Sequence, residues 1–218
     1  MIKELFTEIA SIYDRMNHLF SLGRDVRWRR LAVERVESSP RRILDIASGT
    51  GDFAFALANR FPEAEVVGLD LTSAMLEIAS RKNSSAKIAF MEGDATALPF
   101  SEKSPFELVS CAFGFRNIPD KRRALAEARR VLADGGELLV LEFFRPASRL
   151  LGVFTTFWLK VFTLIFVRSR SAAYGYLRQS VKLTLSEGEF VELARTEGFK
   201  LGARDFFFPC CTCLKFKV

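Results

Sequence analysis

Two apolar runs of the chain end in carboxylates on either side of a glycine turn. Segment 43–52 has the sequence ILDIASGTGD, which indicates a buried strand, a turn and a helix start, and a second run ends at Asp70. Gly49 and Gly51 let the backbone pass close beneath a ligand and adopt positive φ. Asp70, at the carboxyl end of a strand, can accept hydrogen bonds from both hydroxyls of a ribose. Together with Thr50, these residues predict a site for a nucleoside-containing cofactor.

The glycines of this turn are compatible with either NAD or S-adenosylmethionine, and the carboxylates around the turn distinguish between these two cofactors. Segment 49–51 and Ala54 satisfy the dinucleotide fingerprint G-x-G-x-x-[GA], so NAD is one alternative. Asp45 precedes the turn, where it can face a cationic amino-acid end, and Asp52 begins the next helix. This pair would repel a pyrophosphate but complements the sulfonium and ammonium of S-adenosylmethionine. The charges therefore favour S-adenosylmethionine, while helix and turn capping is the structural alternative for both carboxylates.

A third carboxylate extends the same site. Asp94 follows the apolar run 88–91, where it can meet the adenine amino group beside the backbone N–H of Ala95. Carboxylates at the ends of neighbouring strands line the ligand crevice of an open α/β sheet. We therefore assign Asp70 and Asp94 to the cofactor rather than to capping.

Strand and helix patterns alternate from residue 41 onward. Short apolar runs bounded by turn residues indicate strands, and amphipathic stretches between them indicate helices. Seven strands with helical crossovers predict an α/β, Rossmann-like sheet, parallel except for a final hairpin, with helices on both faces. The predicted strands are 42–47, 65–70, 87–91, 106–112, 136–143, 200–208 and 211–217, and the predicted helices are 52–61, 73–82, 120–132 and 189–194.

Two segments lie outside this alternation. Residues 1–38 are expected to form an N-terminal helical cap, because their apolar residues recur at helical spacing. Residues 145–180 form an apolar insertion, in which the run 150–167 is interrupted only by Lys160. That run reaches the lower limit for a membrane span, but a crossing would place strands of one sheet on opposite sides of the membrane. A lid over an apolar substrate, an interfacial helix in lipid and a helix buried in protein are the alternatives.

The composition indicates the partners and the location. The 218 residues carry a net charge of +6 and include 22 Phe against 3 Tyr. This length suits one domain over residues 1–218. The arginine clusters lack the interleaved aromatic residues of a nucleic-acid surface, so a membrane surface is the expected anionic partner. The first residues lack the features of a signal peptide, which indicates a cytoplasmic protein, peripheral on the inner face of the membrane.

Cysteine spacing does not indicate a metal centre. Segment 210–213 contains a C-x-x-C, but only Cys111 and His18 are available as further ligands, and a structural zinc site needs four. No metal is therefore expected. The sequence leaves a homodimer open.

Several short segments, in a fixed order, match one known family. The most specific is 13–17 (YDRMN), followed by Ser21 and Trp28 at the spacing of that family's N-terminal signature. The chain thus resembles the ubiquinone/menaquinone biosynthesis C-methyltransferases, a class I S-adenosylmethionine-dependent family, over nearly its whole length. Further matches are 47–52, 97–100, 113–117, 141–143, Tyr174, Tyr176, Leu177 and Ser180. The chain departs from the family pattern at Asp25, Ala112, Ala133, Asp134, Phe144 and in the tail after Phe208.

The resemblance implies a class I methyltransferase fold and methyl transfer to a ring carbon of a polyprenylated hydroquinone, with demethylmenaquinol as the first choice. It also places Arg116 and Asn117 beside this lipid-quinol substrate. A guanidinium can stabilise a developing phenolate or position a water that takes the proton. The resemblance adds Ala112 to the cofactor contacts and adds Tyr13, Asn17 and Tyr176 to the substrate contacts.

Other roles and functions stay open at this stage. Glu142 can receive a proton or form an ion pair with a neighbouring arginine, and His18 is a weaker candidate for the base. Methylation of another lipid or of a small phenol would use the same cofactor half. A non-catalytic module that binds S-adenosylmethionine belongs to a different functional class.

Overall fold

The computed structural model describes residues 2–102, 105–145, 184–207 and 211–218. The apolar run 150–167 and Tyr176 lie outside these ranges, so the predictions for them are not addressed below. In chain order the helices are α1 (Ile2–Phe20), α2 (Arg24–Val33), α3 (Asp52–Arg60), α4 (Ser73–Lys82), α5 (Lys121–Val131) and α6 (Glu187–Thr196). The strands are β1 (Arg42–Ile46), β2 (Glu65–Asp70), β3 (Ile88–Glu92), β4 (Phe106–Ala112), β5 (Leu132–Glu142), β6 (Lys200–Phe207) and β7 (Cys211–Lys217).

The strands form one seven-stranded sheet in the order β3-β2-β1-β4-β5-β7-β6. All pairings from β3 through β5 are parallel, whereas β7 runs antiparallel to both β5 and β6. This confirms the mostly parallel sheet with a terminal hairpin. The order of the chain reverses between β1 and β4, and such a reversal opens a crevice at the carboxyl ends of the two strands.

Four predicted elements have the bounds that the sequence indicated, namely β2, α4, β4 and β7. The prediction for β5 was wrong at its start, since the strand begins at Leu132 rather than at residue 136. Phe106 pairs with Leu132, but Leu108 pairs with Glu137, so the strand contains a bulge between these two pairs. The bulge contains Gly135 and Gly136, whose sequence pattern resembles a turn.

Helices cover both faces of the sheet. On one face α2 and α3 pack through residues such as Trp28 and Phe53 against the side chains of β1 and β5. On the other face α5 and α6 contribute Leu125 and Phe190 to a second apolar cluster. Burying apolar surface on both sides explains why the central strands read as continuous apolar runs.

The two N-terminal helices differ in how they are held. α2 buries Trp28, Ala32 and Val33 in the core. Between Lys3 and Leu19, by contrast, α1 buries only Ala10 and Met16. The predicted N-terminal cap is therefore one firmly packed helix and one helix that lies on the surface.

Within the described ranges, the structure contains no helix that is both long and apolar enough to cross a membrane.

Candidate functional site

A cavity of about 320 Å³ opens at the carboxyl ends of the strands, at the point where the strand order reverses. Its described wall contains three carboxylates, those of Asp70, Asp94 and Asp120, and no lysine, arginine or histidine. Such a wall suits a cationic ligand and repels a phosphate. The remaining lining residues are Phe6, Tyr13, Ala47, Gly49, Leu69, Leu71, Thr72, Met75, Gly93, Ala95, Thr96, Phe113, Gly114, Asn117, Ile118 and Pro119.

Asp70 is held at the end of β2 by two backbone donors. The N–H of Gly49 donates to one carboxylate oxygen at 2.8 Å, and the N–H of Thr72 donates to the other, also at 2.8 Å. Burial raises the pKa of Asp70, an effect that the two N–H groups oppose and the nearby Glu92 carboxylate reinforces. The carboxylate is thus fixed in orientation at the cavity wall, with lone pairs remaining on both oxygens to accept further hydrogen bonds.

Asp94 is oriented in a comparable way after β3. Its Oδ1 atom accepts hydrogen bonds from the backbone N–H and the hydroxyl of Thr96, both at 2.8 Å. Among the described residues, none donates a hydrogen bond to Oδ2, and Ala95 lines the cavity beside Asp94. The structure therefore brings together Asp70, Asp94 and Ala95, as the sequence predicted.

Two residues other than glycine adopt left-handed backbone conformations at the cavity. Ala47, which follows β1, has φ 52°, and Phe113, which follows β4, has φ 58°. Such conformations cost about 1 kcal/mol or more and occur where the surroundings impose them. A Cβ on Gly114 would lie 2.6 Å from the Cβ of Ala47 and 2.7 Å from Sγ of Cys111. The close approach of these two turns therefore shapes the mouth of the crevice, and it requires glycine at position 114.

Asp45 lies beneath the cavity rather than on its wall. Its side chain is fully buried and accepts hydrogen bonds from Ser110 at 2.7 Å and from Ser48 at 2.8 Å. Burial raises its pKa to about 6 against the opposing effect of the two serines, with smaller contributions from Arg29 and Asp70. Asp45 is not among the residues that line the cavity, and its predicted contact with the cofactor stays a prediction.

We expect Asp45→Asn to stabilise the protein above pH 6 and not near pH 4. The folded-state pKa of about 6 exceeds the ordinary aspartate pKa of 3.8, so the folded state binds the proton more tightly than the unfolded state does. The stability that proton binding to Asp45 contributes is fully present below about pH 4 and is lost as the pH rises through about 6. The side-chain amide of the Asp45→Asn variant carries no charge. The gain in the free energy of unfolding at pH 8 should therefore be at most about 3 kcal/mol.

Denaturant unfolding of the ligand-free protein at pH 4.5, 6 and 8 measures this gain, with Asp134→Asn, an exposed position, as the control. An equal gain at every pH would show that the carboxylate charge is not its cause.

The glycine turn is shaped by its neighbours. Gly51 has φ 83° and precedes α3, and a Cβ there would lie 2.8 Å from the ring of Phe90. The hydroxyl of Thr50 donates to Asp14 on α1. Neither Thr50 nor Gly51 is part of the described cavity wall, whereas Gly49 is. Of the predicted turn residues, Gly49 lines the described cavity, and the cofactor contacts predicted for Thr50 and Gly51 stay predictions.

Arg116 forms a buried ion pair. Nη1 donates to Oε1 of Glu142 at 2.7 Å and to the carbonyl of Phe113 at 2.6 Å, and the backbone N–H of Arg116 donates to Oε2 of Glu142 at 3.1 Å. Arg116 is 9% exposed and Glu142 is 1% exposed. The guanidinium also lies over the rings of Phe113 and Phe143, which stack at 4.7 Å. Of the two roles that the sequence left open for Glu142, the structure shows the ion pair.

The remaining predicted residues divide into two groups. Asn117 and Tyr13 line the cavity, and Tyr13 packs edge-on against Phe6 at 5.8 Å between ring centroids. Asn17, Ala112 and Arg116 are not part of the described wall. His18 is mostly exposed and lies 3.2 Å from Asp25, outside the cavity.

The sequence missed most of the apolar wall. Leu71, Met75 and Ile118 line the cavity, as does Phe6, whose helical spacing indicated only a core or lid position. These residues carry no chemical signature of their own. The one available signal was position, since Leu71 directly follows Asp70 and Ile118 directly follows Asn117.

Among the described residues, no cluster of histidine, cysteine and carboxylate side chains could hold a metal ion. Burial raises the pKa of the Cys213 thiol to about 12, with Asp205 adding to this effect.

Comparison with known proteins extends this picture. A profile described as the ubiE/COQ5 methyltransferase family matches residues 1–210. The demethylmenaquinone methyltransferase of Deinococcus radiodurans is 43% identical over 213 residues, which cover 95% of this chain and 88% of the relative. The demethylmenaquinone methyltransferase of Thermus thermophilus is 46% identical over 184 residues, which cover 82% of this chain and 83% of the relative.

Solved structures agree with the fold. A SAM-dependent methyltransferase from Thermotoga maritima superposes with a TM-score of 0.72 at 19% identity and covers 100% of this chain and 99% of its own. Human N-acetylserotonin methyltransferase in complex with SAM gives a TM-score of 0.66 at 18% identity, and the superposition covers 100% of this chain and 59% of the human chain. At these identities the likeness establishes the class I methyltransferase fold.

Proposed function

Because the chain belongs to the ubiE/COQ5 methyltransferase family, we propose that it methylates a ring carbon of demethylmenaquinol with S-adenosylmethionine as the methyl donor. The observation that carries the proposal is the cavity with three carboxylates and no described cation, combined with relatives named demethylmenaquinone methyltransferase at 41–46% identity. The carboxylates suit a donor that carries a sulfonium and an ammonium. The relatives supply the class of acceptor.

The wall residues fit S-adenosylmethionine at two of its three parts. Asp70 would bind both ribose hydroxyls, because the N–H groups of Gly49 and Thr72 orient its carboxylate and each oxygen can accept a further hydrogen bond. Asp94 and the N–H of Ala95 would bind the adenine edge. Leu71, Met75 and Ile118 provide the apolar faces on which an adenine ring can lie. For the amino-acid end we keep Asp45, Gly49, Thr50, Gly51 and Ala112 as proposed contacts.

The donor supplies a methyl group on a good leaving group, so the protein has to align the acceptor and exclude water. When bound, the donor would pass its methyl group to the ring carbon, so that a C–C bond forms as the S–C bond breaks. The electron pair of the broken S–C bond would remain on sulfur. The ring becomes nucleophilic when the neighbouring hydroxyl loses its proton, and the ring proton leaves afterwards to restore aromaticity. What remains for the protein is to stabilise negative charge on the hydroxyl oxygen.

Asn117 and Arg116 are the groups we propose for this task. Asn117 lies on the cavity wall, where its amide can donate to the hydroxyl oxygen. Arg116 lies next to it, and its buried charge, with Glu142 behind, can stabilise a phenolate directly or through one water. Tyr13, on α1, would contact the ring from the opposite side, and we retain Asn17 and Tyr176 as further proposed substrate contacts.

The apolar tail of the acceptor connects this function with a membrane. A polyprenyl quinol resides in lipid, and a protein that reaches it without crossing the membrane does so at the lipid surface. We propose peripheral contact at the cytoplasmic face, made by the apolar run 150–167, on the strength of its sequence alone. A homodimer is compatible with this arrangement.

Transfer of labelled methyl groups to reduced acceptors in detergent tests the proposal. We expect product with demethylmenaquinol, less or none with a demethylated benzoquinol, and none when Asp70→Ala replaces the unaltered protein. A preference for the benzoquinol would instead assign a benzoquinol as the acceptor. Binding of S-adenosylmethionine without turnover on either ring would overturn the acceptor assignment and favour another phenolic acceptor or a binding module.

A further inference from the structure

One side of the cavity is closed by a helix that few apolar contacts hold in place. α1 contributes Phe6 and Tyr13 to the wall, yet between Lys3 and Leu19 only Ala10 and Met16 are buried. The segment of a structure with the fewest buried apolar contacts opens at the lowest free-energy cost. Since S-adenosylmethionine must enter and its product must leave in each turnover, α1 is the wall that can move for this exchange.

The turn after α1 has the form of a hinge. Leu22 has φ 53° and Gly23 has φ 73°, so two successive residues adopt the left-handed conformation between α1 and α2. α2 is anchored through the buried Trp28, which packs edge-on against Phe143 at 6.0 Å. A rotation at residues 22–23 would therefore move α1 and leave α2 in the core.

A cluster of charges joins α1 to the glycine turn across this wall. Nζ of Lys82, in the last turn of α4, lies 2.9 Å from Oδ2 of Asp14 on α1 and 2.6 Å from Oδ1 of Asp52 at the start of α3. The other oxygen of Asp14 accepts the hydroxyl of Thr50. The ammonium also lies 5.7 Å from the centre of the Phe55 ring. We call Asp14, Thr50, Asp52 and Lys82 the α1 clasp.

We propose that the α1 clasp holds the cofactor in place, with Lys82 as a positioning residue that closes α1 over bound S-adenosylmethionine without touching it. Asp14 is adjacent to Tyr13, which is part of the cavity wall, so a bond to Asp14 fixes that wall residue as well. Thr50 and Asp52 flank Gly51, so the same cluster fixes the turn beneath the ligand. The inference rests on the proposed function only in taking S-adenosylmethionine as the ligand, and it does not depend on the acceptor.

The partial exposure of the clasp makes it a reversible connection. The Lys82 and Asp14 side chains are 31% and 39% exposed, so water can replace their contact when α1 moves away. Ion pairs of this kind are modest in strength and are screened by salt. A buried apolar contact of similar area would not respond to ionic strength in this way. Sensitivity to salt therefore distinguishes the clasp from ordinary packing.

Stopped-flow dissociation of S-adenosylhomocysteine from the full chain tests the proposal. Lys82→Met should raise the dissociation rate about threefold to tenfold, the effect expected for one or two partly exposed ion pairs. Lys82→Arg should restore most of the unaltered rate. The rate of the unaltered protein should rise with salt toward that of Lys82→Met, whose own rate should respond less, since Lys3 on α1 still pairs with Glu92.

Two further variants make the test specific. Asp14→Asn keeps an acceptor for the Thr50 hydroxyl but removes the charge, so it should raise the rate and add little to Lys82→Met. Lys87→Met breaks a partly exposed pair with Glu63 at 3.2 Å, outside the cavity wall, and should leave the rate unchanged. An unchanged rate in both Lys82→Met and Asp14→Asn, or an equal rise in Lys87→Met, would overturn the proposal. Neither result would bear on which quinol is methylated.

Discussion

Replacing Asp70 by alanine should weaken the binding of S-adenosylmethionine about 100-fold or more while the protein still folds. Each hydrogen bond from a ribose hydroxyl to a charged acceptor contributes about 1.5 kcal/mol or more, and Asp70 can accept two of them. The variant also loses the acceptor that orients the N–H groups of Gly49 and Thr72. Isothermal titration calorimetry measures the affinity, and circular dichroism checks the fold.

Glu65→Ala is a matched control, because Glu65 is an exposed residue at the opposite end of the same strand. Its affinity should equal that of the unaltered protein. A loss of less than threefold in Asp70→Ala would remove Asp70 from the cofactor site. Because protonation removes the negative charge and turns one of the two acceptor oxygens into a hydroxyl, affinity in the unaltered protein should also fall as the pH drops through the raised pKa of Asp70.

The second large effect is expected for Glu142→Gln, which should lower the free energy of unfolding by about 3–5 kcal/mol. Glu142 neutralises the buried Arg116 guanidinium and also accepts the N–H groups of Arg116 and Phe143. The glutamine keeps the shape but leaves the positive charge in the core without its counter-charge. Urea denaturation measures the loss, and methyl transfer should fall with it because Arg116 and Asn117 share the turn that Glu142 fixes.

Two comparisons identify the cause of this loss. Glu189→Gln removes the carboxylate of a half-exposed pair with Arg145, and it should lower the free energy of unfolding much less than Glu142→Gln does. The double variant Glu142→Leu with Arg116→Met should regain much of the stability without regaining activity, since an apolar pair of similar volume can replace a buried ion pair. Recovery of activity in that double variant would refute a chemical role for Arg116.

The parts of the fold that the sequence predicted are those with local signals. β2 and β4 are apolar runs bounded by turns, and α4 lies between a Thr72–Ser73 start and an Asn83 end. The start of β5 lacked such a signal, because the glycines of a bulge resemble those of a turn. Pairing with β4 decides between the two, and pairing is a tertiary property.

For the site, the sequence indicated which strand-end carboxylates lie at the cavity, but it did not indicate the side-chain partners of Asp45, Thr50 and Arg116. Asp70 and Asp94 are at the cavity because a residue at a strand end has only one edge of the sheet to occupy. Asp45 has the same residue type, but Ser48 and Ser110 bind it below the wall. Thr50 turns toward Asp14, and no pattern within 43–52 could have placed α1 there. Arg116 was expected beside the substrate, and its pairing with Glu142 depends on the distance between the ends of β4 and β5.

The position of β7 between β5 and β6 has a consequence for the order of events on the ribosome. Residues 138–141 of β5 are buried, and among the described residues their outer edge pairs with Cys213, Leu214 and their neighbours, about 70 residues later in the chain. β6 is synthesised before β7 yet reaches the sheet only through it. Until residue 217 has left the exit tunnel, a nascent chain therefore presents an open apolar strand edge, the feature that most readily recruits another chain. A chaperone that binds the nascent chain would protect this edge, whereas slow translation after residue 142 would prolong its exposure, long after the strands of the cofactor half have been made.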